Sequence, residues 1–128
     1  MKKPRTQNNK KWRIIAWVLA IVWAFLIFIL SSMPGDSYPD HPGFLNYLVH
    51  FLEYFVLAAL LVVGFTDGRL RTKHIIVVAI IFTACYAATD ELHQYFVPGR
   101  LADVIDWIVD TLGATAGAFV ATWLLKSG

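Results

Sequence analysis

Four apolar runs, each close to the length that crosses a bilayer, constrain this chain more than any other feature of its sequence. They cover residues 14–30, 44–65, 75–95 and 102–125, and a spanning helix needs about 20 mostly apolar residues. The 128-residue chain is 58% hydrophobic and 16% charged, which indicates a membrane protein with no room for a separate soluble module. We predict an all-α integral membrane protein with four transmembrane helices and short loops.

The basic residues predict the orientation of these helices. Of the eleven Lys and Arg residues, six lie in residues 1–13, three in the loop at 66–74 and one after residue 125, whereas the other two loops share only Arg100. Because cytoplasmic loops concentrate Lys and Arg, we expect both termini in the cytoplasm. The first run is longer than the apolar region of a signal peptide and no A-x-A site follows it, so we interpret it as a retained helix. We interpret the basic residues 1–13 as a cytoplasmic segment that contacts anionic lipid, not nucleic acid.

Charged residues are concentrated around the turn between the third and fourth predicted helices. Residues 90–110 contain five carboxylates, one Arg, one His and one Gln. A charge at bilayer depth costs about 2.5–3.5 kcal/mol on insertion scales, so such residues usually face a bundle interior or a water-filled cavity. We therefore expect these side chains to have a use in chemistry, binding or packing.

The fourth predicted helix carries its polar residues in a single stripe. Asp103, Asp106, Asp110, Gly113 and Gly117 follow one another at steps of three and four residues, which places them on one helix face. The two glycines allow a neighbouring helix to approach closely. We expect all three aspartates to lie in the first two turns of this helix.

Two other predicted helices have polar faces at the same membrane depth. His50, Glu53 and Tyr54 share a face of the second helix, and Asp90 and Gln94 share a face of the third. At 1.5 Å rise per residue, these positions lie within about 10 Å of the outer helix ends. The pattern predicts one shallow, outward-facing polar pocket formed by helices 2, 3 and 4 and the turn at 97–100.

The charges of this pocket do not balance. Six carboxylates, with Glu53 included, face Arg100 and at most two His, and they cannot all be ionised at close quarters in a low dielectric. Some carboxyls must be protonated, some must reach water, or a divalent cation must bind. Arg100 is planar and always charged, and it is suited to pairing with carboxylates or holding a phosphate.

These residues resemble the motifs of the VanZ-like family of small bacterial membrane proteins. The resemblance covers roughly residues 25–120. One position departs from the pattern: Asp110 stands where the family often has Asn. The matching residues are the D-E-x-x-Q-x-F-x-P-G-R-x-x-D-x-x-D motif of Asp90, Glu91, Gln94, Phe96, Pro98, Gly99, Arg100, Asp103 and Asp106, the glycines Gly113 and Gly117, the H-F-x-E-Y motif of His50, Phe51, Glu53 and Tyr54, and Ser31, Ser32 and Pro34.

The resemblance implies a multi-pass protein of the bacterial cytoplasmic membrane, with a VanZ-like four-helix domain at 14–125. It also implies a role near that of the founding member, which is linked to resistance to teicoplanin-type lipoglycopeptides. Membrane lipids, and a lipoglycopeptide or a lipid-linked envelope precursor, are the partners we expect.

Three readings of the pocket remain open at this point. In the first, the protein binds a ligand without turnover, through His50, Glu53, Tyr54, Glu91, Gln94, Arg100, Asp103 and Asp110. In the second, it is a hydrolase or transferase that acts on a lipid-linked envelope intermediate, with Asp90 and Asp106 as acid and base or as metal ligands. In the third, the polar residues only hold the helices in register, although such contacts contribute about 0.6 kcal/mol each. An aspartic membrane protease is disfavoured because the flanking signatures of lipoprotein signal peptidase are absent.

Overall fold

A computed structural model describes residues 5–35 and 43–128, and its regular elements are all helices. The first four residues of the predicted basic segment, and most of the loop after the first helix, lie outside this range. The helices are α1 (Arg5–Ser32), α2 (Gly43–Phe65), α3 (Thr72–Tyr95) and α4 (Val104–Ser127). All four are long and apolar enough to cross a membrane, which confirms the predicted all-α class and the predicted number of spans.

Several helix boundaries differ from the prediction, and α3, for example, begins at Thr72 rather than at residue 75. The first helix begins at Arg5, inside the segment that we assigned to a basic N-terminus, because nothing in that polar sequence breaks a helix before the apolar run. The fourth helix begins at Val104 rather than at residue 102, because Asp103 caps it: the backbone N–H of Ile105 donates to the Asp103 carboxylate at 2.9 Å. Capping side chains of this kind stand just outside the helix that they start.

The most extensive interface joins α2 and α4, which are not neighbours in the sequence. A Cβ atom on Gly113 would collide with the backbone carbonyl of Phe51, and one on Gly117 would collide with that of Phe55. Both glycines therefore lie directly against the α2 backbone, as the G-x-x-x-G spacing predicts. Since positions 51 and 55 face positions 113 and 117 in the same order, α2 and α4 run parallel.

The interior of the bundle is rich in small side chains, and most of the large apolar side chains lie on its surface. Buried alanines occur in all four helices, among them Ala20, Ala58, Ala79 and Ala118. Large apolar side chains point outward, and Ile21, for example, is 68% exposed. Lipid is as apolar as leucine, so helices in a membrane gain most from close backbone approach, which small residues permit.

Helix α1 is attached to the other helices by hydrogen bonds from aromatic side chains. Trp17 Nε1 donates to the carbonyl of Gly64 at 3.1 Å and Trp23 Nε1 donates to that of Glu53 at 2.8 Å, both in α2. Tyr86 Oη in α3 donates to the carbonyl of Ala24 at 2.6 Å. These bonds position α1 on α2 and α3.

The end of α1 also meets the turn between α3 and α4. The backbone N–H of Gly35 donates to the carbonyl of Pro98 at 3.0 Å. A Cβ on Gly35 would collide with the backbone of Gly99, which itself has a φ of +74°. Glycine is needed at both positions, at the first for space and at the second for the left-handed conformation.

Adding a single methyl group at Gly113 should destabilise the bundle. We expect Gly113→Ala to lose about 1–3 kcal/mol by forcing α2 and α4 apart, which would appear as a lower melting temperature in detergent. The matched control is Gly43→Ala, because a Cβ at Gly43 meets no atom within 4 Å. Equal melting temperatures for the two variants would contradict the close contact.

Candidate functional site

A buried acid and histidine pair connects α2 with α4. His50 Nδ1 lies 3.0 Å from Asp110 Oδ1. Asp110 is 0% exposed and His50 is 4% exposed. A buried carboxylate is strongly destabilising unless it is paired, so this contact is what makes Asp110 tolerable at the centre of the bundle.

A second polar contact connects α2 with α3. Tyr54 Oη donates to Asp90 Oδ2 at 2.9 Å, and Gln94 Nε2 donates to the same oxygen at 3.4 Å. All three residues are buried. The predicted common face of Asp90 and Gln94 on the third helix is confirmed by this bond.

The third contact connects α3 with the beginning of α4. The backbone N–H of Asp103 donates to Glu91 Oε2 at 3.0 Å. We placed Asp103 in the first turn of the fourth helix, beside Asp106 and Asp110, and this was wrong. Its carboxylate instead caps α4 and is only partly buried, whereas the other two aspartates are fully buried.

The structure thus brings together, at one end of the bundle, the ten residues that the sequence singled out. We call this set the polar cluster. Asp106 lies in it one helical turn before Asp110, and Glu53 lies in it beside His50 on α2. The polar cluster consists of His50, Glu53, Tyr54, Asp90, Glu91, Gln94, Arg100, Asp103, Asp106 and Asp110.

A cavity of about 10 Å³ lies within the polar cluster, bordered by His50, Glu53, Asp90, Gln94 and Arg100. A space of this size has room for about one water molecule. The end of α1 closes it with Ile27, Leu30 and Ser31.

The pocket predicted from the sequence contains no residue of helix α1. The buried Ser31 was therefore missed as a residue of the site. The Ser31, Ser32 and Pro34 motif that matched the family was the signal for it.

Arg100 attaches the turn between α3 and α4 to the end of α1. Its Nη1 donates to the carbonyls of Leu30 and Met33, at 3.4 Å each. The last carbonyls of a helix have no partner within the helix, and an arginine can supply one. Arg100 thus contributes to the packing of α1 as well as to the charge of the cavity.

His93 lies on the side of α3 that faces α1. Its ring stacks on that of Phe28 with centroids 4.8 Å apart, and its Nε2 lies 2.9 Å from Ser32 Oγ. His93 therefore contacts α1.

Two carboxylate oxygens in the polar cluster are buried without a hydrogen-bond partner among the described residues. They are Glu91 Oε1 and Asp110 Oδ2. Leaving a buried polar atom unpaired costs about 1–3 kcal/mol, and more when the atom is charged. His50, Glu91 and Asp110 each offer one ligand atom, and these three atoms lie within 4.8 Å of one another. The three residues could therefore hold a metal ion.

A shallow groove of about 300 Å³ runs between α3 and α4 beside the polar cluster. Its walls are mostly apolar and include Leu92, Tyr95 and Trp107, and its acidic members are Glu91 and Asp103. The groove is open to the surroundings of the bundle. Its shape and lining suit an apolar chain that ends in a polar or basic group.

Comparison with known proteins identifies the family. The VanZ/LLP1 family model matches residues 16–125, and the chain belongs to this family. The match confirms the resemblance found in the sequence motifs, and together with the four helices it defines a multi-pass membrane protein of VanZ-like type. No curated protein and no solved structure matches the chain.

Removing the hydroxyl of Tyr54 should destabilise the protein by leaving Asp90 with a weaker set of donors. We expect Tyr54→Phe to cost about 1–3 kcal/mol, since a buried acceptor loses its shortest hydrogen bond, and to lower the melting temperature in detergent. Tyr95→Phe is the matched control because Tyr95 is 70% exposed. If both variants melt as the wild type does, the Tyr54 to Asp90 bond is not important for stability.

Proposed function

We propose that this protein binds an amphiphilic ligand with a basic headgroup at the outer face of the bacterial cytoplasmic membrane. A lipoglycopeptide of the teicoplanin type has the required chemistry. Binding without turnover would keep such a compound from its target and confer resistance. Membership of the VanZ/LLP1 family is consistent with this role, and the orientation predicted from the basic residues puts the polar cluster on the outer side.

The groove between α3 and α4 is the observation that carries this proposal. Its apolar wall has room for part of an acyl chain, and Asp103 offers a partly exposed carboxylate at its edge. The polar cluster behind it contains six carboxylates, against the cations Arg100 and, when protonated, His50. Among the described residues, the lining of the groove itself contains two acidic residues, Glu91 and Asp103, and no Lys or Arg. This favours a basic group over a phosphate, because opposite charges at an interface select the partner.

Burial of the acidic residues supports binding over catalysis. Asp90 and Asp106, the acid and base of the enzyme reading, are 6% and 8% exposed. The cavity beside Asp90 has room for about one water molecule. A lipid-linked substrate would need the helix ends to separate before it could reach either carboxylate, whereas the groove is open without such a movement.

The orientation can be tested with single cysteines in a Cys85→Ser background. Leu101→Cys lies in the α3–α4 turn, where the residue is 86% exposed, and Leu70→Cys lies in the loop between α2 and α3. We expect an impermeant maleimide to label Leu101→Cys in intact cells and Leu70→Cys only after permeabilisation. The reverse pattern would place the polar cluster on the cytoplasmic side and exclude a role at the outer face.

Ligand binding can be tested in nanodiscs with teicoplanin and with a glycopeptide that lacks an acyl chain. We expect teicoplanin to bind at least tenfold more tightly, because each buried methylene contributes about 0.8 kcal/mol. Asp103→Asn should weaken binding up to about fivefold, as expected for a partly exposed ion pair. Asn caps helices as well as Asp does, so this variant keeps the start of α4.

The control for charge is Asp67→Asn, in the loop between α2 and α3, which should bind teicoplanin as the wild type does. The same measurement with an undecaprenyl pyrophosphate separates the two partner classes. Binding of that lipid alone would assign the groove to an envelope precursor, and binding of neither compound would contradict the proposal.

A further inference from the structure

We propose that His50, Glu91 and Asp110 form a binding site for one divalent transition-metal ion of the zinc or manganese class. These residues come from α2, α3 and α4, so an ion bound to all three would join the three helices. The proposal goes beyond the binding of an amphiphile in the groove and does not depend on it. Three observations carry it: the geometry, the unpartnered oxygens and the balance of charge.

The geometry is close to that of a metal site. One imidazole nitrogen and two carboxylate oxygens lie within 4.8 Å of one another. Ligand atoms at about 2.0–2.2 Å from a zinc ion lie roughly 3.5 Å apart in a tetrahedral site. Small side-chain rotations would close the remaining gap. All three residues are more than nine-tenths buried, so packing already restricts where their ligand atoms can lie.

The unpartnered oxygens indicate that something beyond the described protein groups completes this cluster. Glu91 uses Oε2 to accept the Asp103 N–H, and its Oε1 is buried without a partner. Asp110 uses Oδ1 to contact His50, and its Oδ2 is likewise buried without a partner. Each carboxylate thus has one oxygen held in place by the protein and a second one available for a ligand. Second contacts of this kind commonly orient the side chains that bind a metal.

The summed charge of the three side chains favours a divalent ion. Two carboxylates and a neutral imidazole sum to −2, which a divalent cation neutralises. The imidazole nitrogen favours zinc or iron over magnesium and calcium, which prefer oxygen ligands, and the two carboxylates also suit manganese. Three protein ligands leave a position open for water. His50 also borders the cavity that has room for about one water molecule.

The test measures metal in the absence of any other ligand. Wild-type protein in mild detergent would be loaded with Zn²⁺ or, separately, with Mn²⁺, and excess metal would be removed by gel filtration. The bound metal would then be measured by inductively coupled plasma mass spectrometry. We expect about one equivalent of one of these metals per chain, and a rise in melting temperature with the same metal but not with Mg²⁺. A wild type without stoichiometric metal overturns the proposal.

Variants test the ligand set. Glu91→Gln and Asp110→Asn preserve shape and remove charge, and each should bind the metal at least about tenfold more weakly. Asp67→Asn, the matched change outside the polar cluster, should keep full occupancy. Full occupancy in Glu91→Gln would overturn the three-residue site.

If Asp110→Asn does not fold, Glu91→Gln and the wild-type stoichiometry still decide the question. Since no amphiphile is present, these results are independent of teicoplanin binding, and either proposal can fail while the other holds.

Discussion

Carboxylates buried between the helices need partners on other helices, because the surrounding lipid offers none. Asp110 meets His50 across the α2–α4 interface, and Asp90 meets Tyr54 across the α2–α3 interface. In each pair, burying the aspartate without its partner would strongly destabilise the protein. The polar cluster, which is the candidate functional site, is therefore also a determinant of which helices are adjacent.

Close approach of the helices makes these short polar contacts possible. Gly113 and Gly117 put the α4 backbone against α2, one and two turns beyond Asp110 on the same stripe. Small residues fill the interior and large apolar residues face outward, an arrangement that suits a bundle whose surroundings are as apolar as its core. Larger residues at the glycine positions would move Asp110 away from His50, so packing and the polar site are coupled.

The candidate site combines a small interior cavity with a larger open groove. The interior holds the most deeply buried acids and has room for little more than a water molecule or an ion, whereas the groove between α3 and α4 can take part of a larger molecule. Glu91 lines the groove, and one of its oxygens accepts a bond from the backbone of Asp103 while the other is buried.

Hydropathy and spacing determined the four helices and their polar faces, because bilayer thickness and the helical repeat act along the chain itself. The family was indicated by the resemblance of the sequence motifs and confirmed by the family model. Tertiary structure decided the rest. It paired His50 with Asp110, made α2 and α4 the main interface, added Ser31 from α1 and used Asp103 as a cap. Such choices depend on how helix faces fit against one another, and residues far apart in the sequence decide that fit. A sequence pattern shows which face is polar, but not which partner that face will meet.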